Sequence, residues 1–307
     1  MSNFKPLLPP QDLPGQGSKS PVRTPAKPPS ISAMIRETMT LSSWLLIGAV
    51  LQGLAIRLFG LVTLFPTSLI VLYRVLDHLL MASNITHNRY MDDVLRTKVS
   101  GQYPQSNGVF TSTPAAESIV VFHLGARSNH PLGILAPGML ELTKQVKEMV
   151  DSMTGDVDKY GVLGLSRYMK VEDAAGNESM FLFYLRDYES LHRFAHDEIH
   201  MKGLAWWARI VKDHPHIAIF HETYVVPKGA WENIYINSKP TGMGDAWFPV
   251  RDGEKEGVRK GGITGLVRSA VDARGGVLRS ASKRLQMKWL EEAEEVQGEL
   301  YDQTFVS

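Results

Sequence analysis

The stretch "ESIVVFHLGA", Glu117–Ala126, decides the fold. Its run of β-branched and aromatic residues reads as a strand. Downstream, "GMLELTKQVKEMVDSM" (138–153) places Leu140, Leu142, Val146, Met149 and Val150 at helical spacing. "YGVLGLSRYMKV" (160–171) and "ESMFLFYLRD" (178–187) are strands around "EDAAGN", whose Gly and Asn suit a turn. A second helix is predicted from about Tyr188 to Lys212, and "HIAIFHETYVV" (216–226) is a last strand stopped by Pro227 and Gly229. The order β-α-β-β-α-β is that of the ferredoxin-like split arrangement, an α+β fold with two helices on one face of an antiparallel sheet. Two helices cannot cover Phe122, Phe181, Phe183 and Phe220 together. A second subunit packed sheet to sheet, as in a dimeric α/β barrel, is the expected cover.

Outside 115–237 the chain changes character. Residues 1–37 carry eight prolines before residue 30 among Ser, Lys and Gln, and predict a disordered arm. Over 38–83 the apolar run "LSSWLLIGAVLQGLAIRLFGLVTLFPTSLIVLYRVLDHLL" (41–80) has Arg57 as the one charge between Glu37 and Arg74. A straight helix over 38–73 would reach about 54 Å, too long for a bilayer core of about 30 Å. Arg57, Gly60 and Pro66 are places for it to break. A short membrane hairpin, one span followed by an interfacial helix, and a buried helix pair of a soluble protein are the alternatives. The missing polar face favours membrane, and basic residues on both flanks suit a hairpin with both ends cytosolic. That makes an endoplasmic-reticulum or other endomembrane location the expectation. Residues 84–114 read as linker, and 238–307 as linker and charged tail. Within the tail, 251–288 hold ten Lys or Arg against four acids, and 291–302 hold six acids and no base. Leu278, Ala281, Leu285, Trp289, Ala293 and Val296 fall on one helical stripe.

Composition excludes more than it identifies. The 307 residues carry a formal charge of +1, which gives no electrostatic reason to expect a nucleic-acid partner. There is no cysteine, so disulfides, thiolate metal sites and cysteine nucleophiles are ruled out. No phosphate-binding glycine loop, dinucleotide fingerprint or nucleophile elbow occurs.

Imidazoles are the candidate chemistry. His192, His196 and His200 recur every four residues in "LHRFAHDEIHMKGLAWW" (191–207). His192 and His200 stand about 12 Å apart along a helix, too far to share one ion. The spacing therefore predicts no three-ligand metal site, but a helix with His200 turned inward. His123 and His221 alternate with apolar neighbours on the first and last strands, so each points into one face of the sheet. A histidine in an apolar cavity can serve as a general base. Glu222 is expected to pair with Arg186 or Arg167.

The segments "VVFHLGARSNHPLGILAPG" (120–138), "FAHDEIHMKGLAWW" (194–207) and "FHETYVVPKGAWENIYINSKPTGMG" (220–244) resemble the small fungal monooxygenase-like family of secondary-metabolite clusters, such as the fumagillin one. That family is similar to the antibiotic-biosynthesis monooxygenases, ferredoxin-like dimers that oxidise activated polyketides or terpenoids without metal or flavin. The resemblance covers about 115–245 and implies molecular oxygen as co-substrate, no bound cofactor, haem included, and an apolar substrate. His123 departs from the family pattern, where an aliphatic residue is commoner. In a cofactor-free oxygenase of this kind His200 or His221, or else His123, would be the base. Tyr168, Tyr184, Trp206 and Trp207 would wall the pocket, and Arg127 or Asn129 would steady the developing oxyanion. A non-redox cyclase or isomerase, and a non-catalytic binding or scaffold protein, are the rival functions.

Overall fold

The computed structural model describes residues 3–12, 35–36, 38–170, 177–251 and 263–286. A two-residue strand β1 (Gln11–Asp12) comes first, then two helices, α1 (Leu41–Phe59) and α2 (Leu64–Ala82). Thr40 caps α1 by accepting the Ser43 amide, which satisfies one of the donors a helix start leaves open. Gly60 ends it at a φ of 76°, a conformation that costs glycine nothing. Pro66 falls in the first turn of α2, where its missing N–H is no loss. Each helix is about 28 Å long and is long and apolar enough to cross a membrane. Nothing in α1 is buried and only Met81 in α2, while Leu46, Leu54, Phe65 and Val71 stand exposed. The polar Gln52 is satisfied at the bend: its amide donates to Thr63 and its carbonyl accepts from Thr67.

After β2 (Leu95–Gly101) come β3 (Ile119–Ser128), α3 (Met139–Gly155), β4 (Val162–Met169) and β5 (Asn177–Leu185). Then follow α4 (Tyr188–Ala195), α5 (Glu198–Ile210) and β6 (Ile217–Val226). β3 to β6 form one antiparallel sheet in the order β4-β5-β3-β6, with both inner strands contributed by the first and third strands of the unit. This is the ferredoxin-like order. Val120, Phe122, Phe181, Phe183 and Leu185 meet Val150 and Met153 of α3 and Leu191 and Phe194 of α4 in the central core. Phe122, Phe181 and Phe183 are thus buried by this chain's own helices, and Phe220 alone of the four phenylalanines lies on the other face, 37% exposed. Its ring lies across Gly125, where a Cβ would sit 2.1 Å from it.

The single helix expected over 188–212 is two. His196 ends α4, its Nδ1 on the His192 carbonyl, and Asp197 starts α5 by accepting the Ile199 amide. Lys159 and the Tyr160 hydroxyl hold the same carboxylate at 2.6 and 2.8 Å. His192 and His200 therefore sit on different helices.

The segments read as arm, linker and tail differ most from expectation. β7 (Tyr235–Ser238), β8 (Trp247–Arg251), β9 (Ile263–Arg268) and β10 (Ala270–Asp272) join β1 and β2 in two further sheets, ordered β1-β9-β8 and β10-β2-β7. Residues 84–114 are thus not a plain linker, since β2 is their central strand. The proline-rich arm is not wholly unstructured either, since Pro6 bridges Val271 and Gln11 pairs with Leu266. Met243, Ala246 and Phe248 of this layer pack over Ile119, Val121, Leu163 and Tyr184, on the sheet face opposite the helices. Close approach is permitted at Gly101, where a Cβ would lie 2.7 Å from the Met243 carbonyl oxygen. Leu278 is buried in the same layer and Ala281–Arg284 make one helical turn. Trp289, Ala293 and Val296, the rest of the predicted amphipathic stripe, lie outside the described residues.

Candidate active site

Two concentrations of chemistry lie on opposite faces of the four-stranded sheet. Between the sheet and α3 is a cavity of about 110 Å³, walled by Leu124, Ile134, Leu142, Val146, Phe181 and Ile219. Its polar groups are Thr143, Lys147, Arg167 and Ser179. Arg167 points inward because a bulge between Val162 and Gly164 shifts the β4 register. Leu163 then faces the outer layer while Leu165 and Arg167 face the helices. The Arg167 guanidinium lies 4.2 Å over the Phe181 ring. Burial lowers its pKa, against which Asp151 acts weakly. Among the described residues no carboxylate stands within ion-pairing distance of Arg167, and Asp151 is engaged by Lys147. A half-buried cation at an apolar wall suits an anionic or electron-rich oxygen of a ligand.

On the other face, His123, Glu222 and Tyr224 come together. The Tyr224 hydroxyl donates to Glu222 Oε2 at 2.6 Å, and His123 Nδ1 is 3.8 Å from the same oxygen. The two rings meet edge to face at 5.8 Å. The Glu222 carboxylate raises the Tyr224 pKa. Glu222 thus pairs within its own face, not with Arg186 or Arg167. Arg186 is held instead by Asp187 at 2.7 Å.

The other expected site residues are scattered. His221 is on the cavity side of β6, next in alternation to Ile219, with its ring 5.9 Å from Phe122, and is exposed at the strand edge. His200 Nδ1 bonds the Ala195 carbonyl at 2.8 Å and its ring abuts Phe194. No imidazole lines the cavity. Trp206 and Trp207 pack against the cluster of Met139, Leu142 and Ile217. Tyr184 lies under the 242–244 turn on the opposite face, its pKa pushed up to about 12 by burial, and Tyr168 is exposed on that face. Arg127 is held by Glu178 at 3.2 Å and Asn129 at 2.9 Å. Among the described residues no three of His, Asp or Glu are grouped so as to hold a metal ion. Arg167 and Thr143 were not among the expected site residues. Strand alternation would have put Arg167 with Leu163, and only the bulge separates them.

Fold and site together define an α+β protein, ferredoxin-like at its centre, with an apolar cavity served by one half-buried guanidinium. Residues 119–243 match the family described as Monooxygenase af470-like. Monooxygenase af470 of Aspergillus fumigatus is 31% identical over 261 residues, covering 83% of this chain and 91% of that protein. The chain belongs to this monooxygenase af470-like family. Among solved structures it is similar to an aldoxime dehydratase bound to butyraldoxime, at 14% identity and a TM-score of 0.38, over 50% of this chain and 40% of that one. It is also similar to SnoaB, a cofactor-independent oxygenase from Streptomyces nogalater, at 10% identity and a TM-score of 0.24, over 34% and 90%. A putative antibiotic biosynthesis monooxygenase from Deinococcus radiodurans matches at 10% identity and a TM-score of 0.24, over 34% and 89%.

Proposed function

We propose that the protein is a membrane-associated oxygenase of fungal secondary metabolism that oxidises an apolar, enolisable polyketide or terpenoid, with dioxygen as co-substrate and without metal or flavin. The observation that carries this reading is the apolar cavity closed at one wall by the Arg167 guanidinium. At about 110 Å³ it is smaller than the roughly 150 Å³ cavity that admits benzene. It takes the reactive end of the substrate, the remainder lying toward the Lys147 rim. Arg167 holds the carbonyl oxygen and stabilises its enolate, as a positioned cation does for developing charge. No imidazole lines the cavity, and His221 stands on the opposite edge strand from Arg167, so the α-proton passes to water at the cavity mouth. The carbanion carbon then bonds to dioxygen, and loss of water from the hydroperoxide turns a methylene into a carbonyl. The balance is CH2 + O2 → C=O + H2O, with the substrate supplying all four electrons.

The two apolar helices anchor the protein to an endomembrane such as the endoplasmic reticulum, with the catalytic domain cytosolic, where apolar substrates accumulate. A second copy covers the part of the sheet face that the outer layer leaves open, where Tyr168, Phe220 and Tyr224 are exposed. The test is dioxygen uptake by the full chain with a panel of enolisable polycyclic ketones, using labelled dioxygen. One labelled oxygen atom in the product is expected. One specific observation favours a second reading: the His123–Glu222–Tyr224 set is a proton-transferring group suited to a non-redox cyclase or isomerase. Product formed at an unchanged rate in the absence of dioxygen would select that reading.

A further inference from the structure

α2 changes chemistry partway along its length. From Leu64 to Tyr73 it carries no charge, and Phe65, Leu69, Ile70 and Leu72 stand exposed. Arg74, Asp77 and His78 follow, and the loop after α2 folds back on these last turns. Arg89 pairs with Asp77 at 2.8 Å and donates to the Met81 sulfur at 3.2 Å, while His78 Nε2 bonds the Tyr90 hydroxyl at 3.0 Å. Asn84, Thr86 and His87 of the same loop are exposed. Hydrocarbon cannot take this group, because its charges and its irregular backbone need water. The part of α2 fit for lipid therefore ends at Tyr73, about 14 Å along the helix from Leu64. That is about half of a bilayer core of about 30 Å. α1 is also short of a full crossing, with Trp44 and Phe59 about 22 Å apart. At the bend between the helices the polar groups are satisfied within the chain. Gln52 donates to the Thr63 hydroxyl and accepts from that of Thr67, and the Thr63 hydroxyl donates to the Gly60 carbonyl at 3.0 Å. A turn lying among headgroups has no need of such pairing, whereas a turn lying in hydrocarbon does.

We propose that α1 and α2 form a re-entrant hairpin seated in a single leaflet, the one facing the catalytic domain. It rests on the membrane reading above. The bend at Gly60 stops within the hydrocarbon, and Arg74, Asp77 and His78 stay at headgroup level. Trp44, whose indole donates to the Arg36 carbonyl at 2.9 Å, and the exposed Tyr73 and Tyr90 supply amphipathic rings for that level. The pair lies obliquely, because about 22 Å of α1 exceeds the roughly 15 Å depth of one leaflet. The tilt also lets the long Arg57 side chain reach back toward the headgroups. Both ends of the hairpin then emerge on the side of the domain.

The chain has no cysteine, so single cysteines report depth directly. Leu61→Cys at the bend and Thr86→Cys in the loop after α2 are made in the full chain. Microsomes carrying each variant are treated with a membrane-impermeant maleimide, either sealed or with pores opened by a toxin. Thr86→Cys is expected to label, and the side from which it does so is the side of the domain. Leu61→Cys is expected to stay unlabelled from both sides of the intact bilayer, and to label once detergent dissolves it. Labelling of Leu61→Cys from the side opposite Thr86→Cys marks a hairpin that spans the membrane, and overturns the proposal. Labelling from the same side marks a bend lying in water, and overturns it as well. Alkaline carbonate extraction tests the membrane reading separately. The wild type is expected to stay in the pellet, and its release would remove the anchor itself.

Discussion

Arg167 is the side chain whose chemistry its surroundings leave unanswered. It is half-buried against Phe181, and desolvation disfavours its charge. A ligand oxygen that relieved this would bind more strongly as its charge grew. Arg167→Met is expected to lower turnover by about 10²-fold or more. The lost stacking on Phe181 costs only about 0.5–1 kcal/mol of stability. Steady-state rates beside thermal melting check both halves, and a fall in melting temperature without loss of turnover would make Arg167 structural. Asp197 gives a second residue-scale expectation. The Lys159 hydrogen bond, then that of Tyr160, lowers its pKa to about 2. A depressed carboxylate stabilises the fold above its unfolded pKa near 3.9, and that contribution is lost as pH falls toward about 2. Asp197→Asn is therefore expected to melt below the wild type at pH 7, and the gap should close near pH 2. A gap of the same size at both pH values would mean that charge is not what the residue supplies.

At the scale of elements, the four long strands and α3 between Ile119 and Val226 were legible because each carries its own signal, whereas the break at His196 and Asp197 that makes two helices of 188–212 was not. The strands are eight to ten residues long, apolar and bounded by turn formers. α3 repeats its apolar residues at helical spacing. The outer layer has no such local signal. Its strands run from two to seven residues, and their partners are remote, as Val99 with Tyr235 and Val271 with Ser100. The layer is nonetheless tightly packed: Phe248 is 2% exposed, and its ring lies 4.5 Å from that of Tyr103. Phe248→Ala is expected to cost about 3–5 kcal/mol by denaturant unfolding. A cost below about 0.5 kcal/mol, as for a surface change, would return these residues to linker status.

At the scale of the molecule, the outer layer covers part of the sheet's second face and leaves Tyr168, Phe220 and Tyr224 exposed on it. The proposed second copy would bury this patch. Light scattering of the full chain in detergent is expected to report twice the chain mass, and Phe220→Asp to halve it, since a carboxylate there would be buried without a partner. Wild-type protein at one chain mass would dispose of the dimer. The cavity, being enclosed by one chain's sheet and α3, would remain.

By itself the sequence determined the central α+β unit and the two apolar helices, because period, length and turn chemistry are local properties of a chain. Tertiary structure alone decided which groups meet. The β4 bulge turned Arg167 into the cavity, and cross-strand register set Glu222 between His123 and Tyr224. Pairing across more than a hundred residues made strands of segments that look like linkers. Those outcomes depend on register and long-range packing, which leave no periodic trace in the residues that obey them.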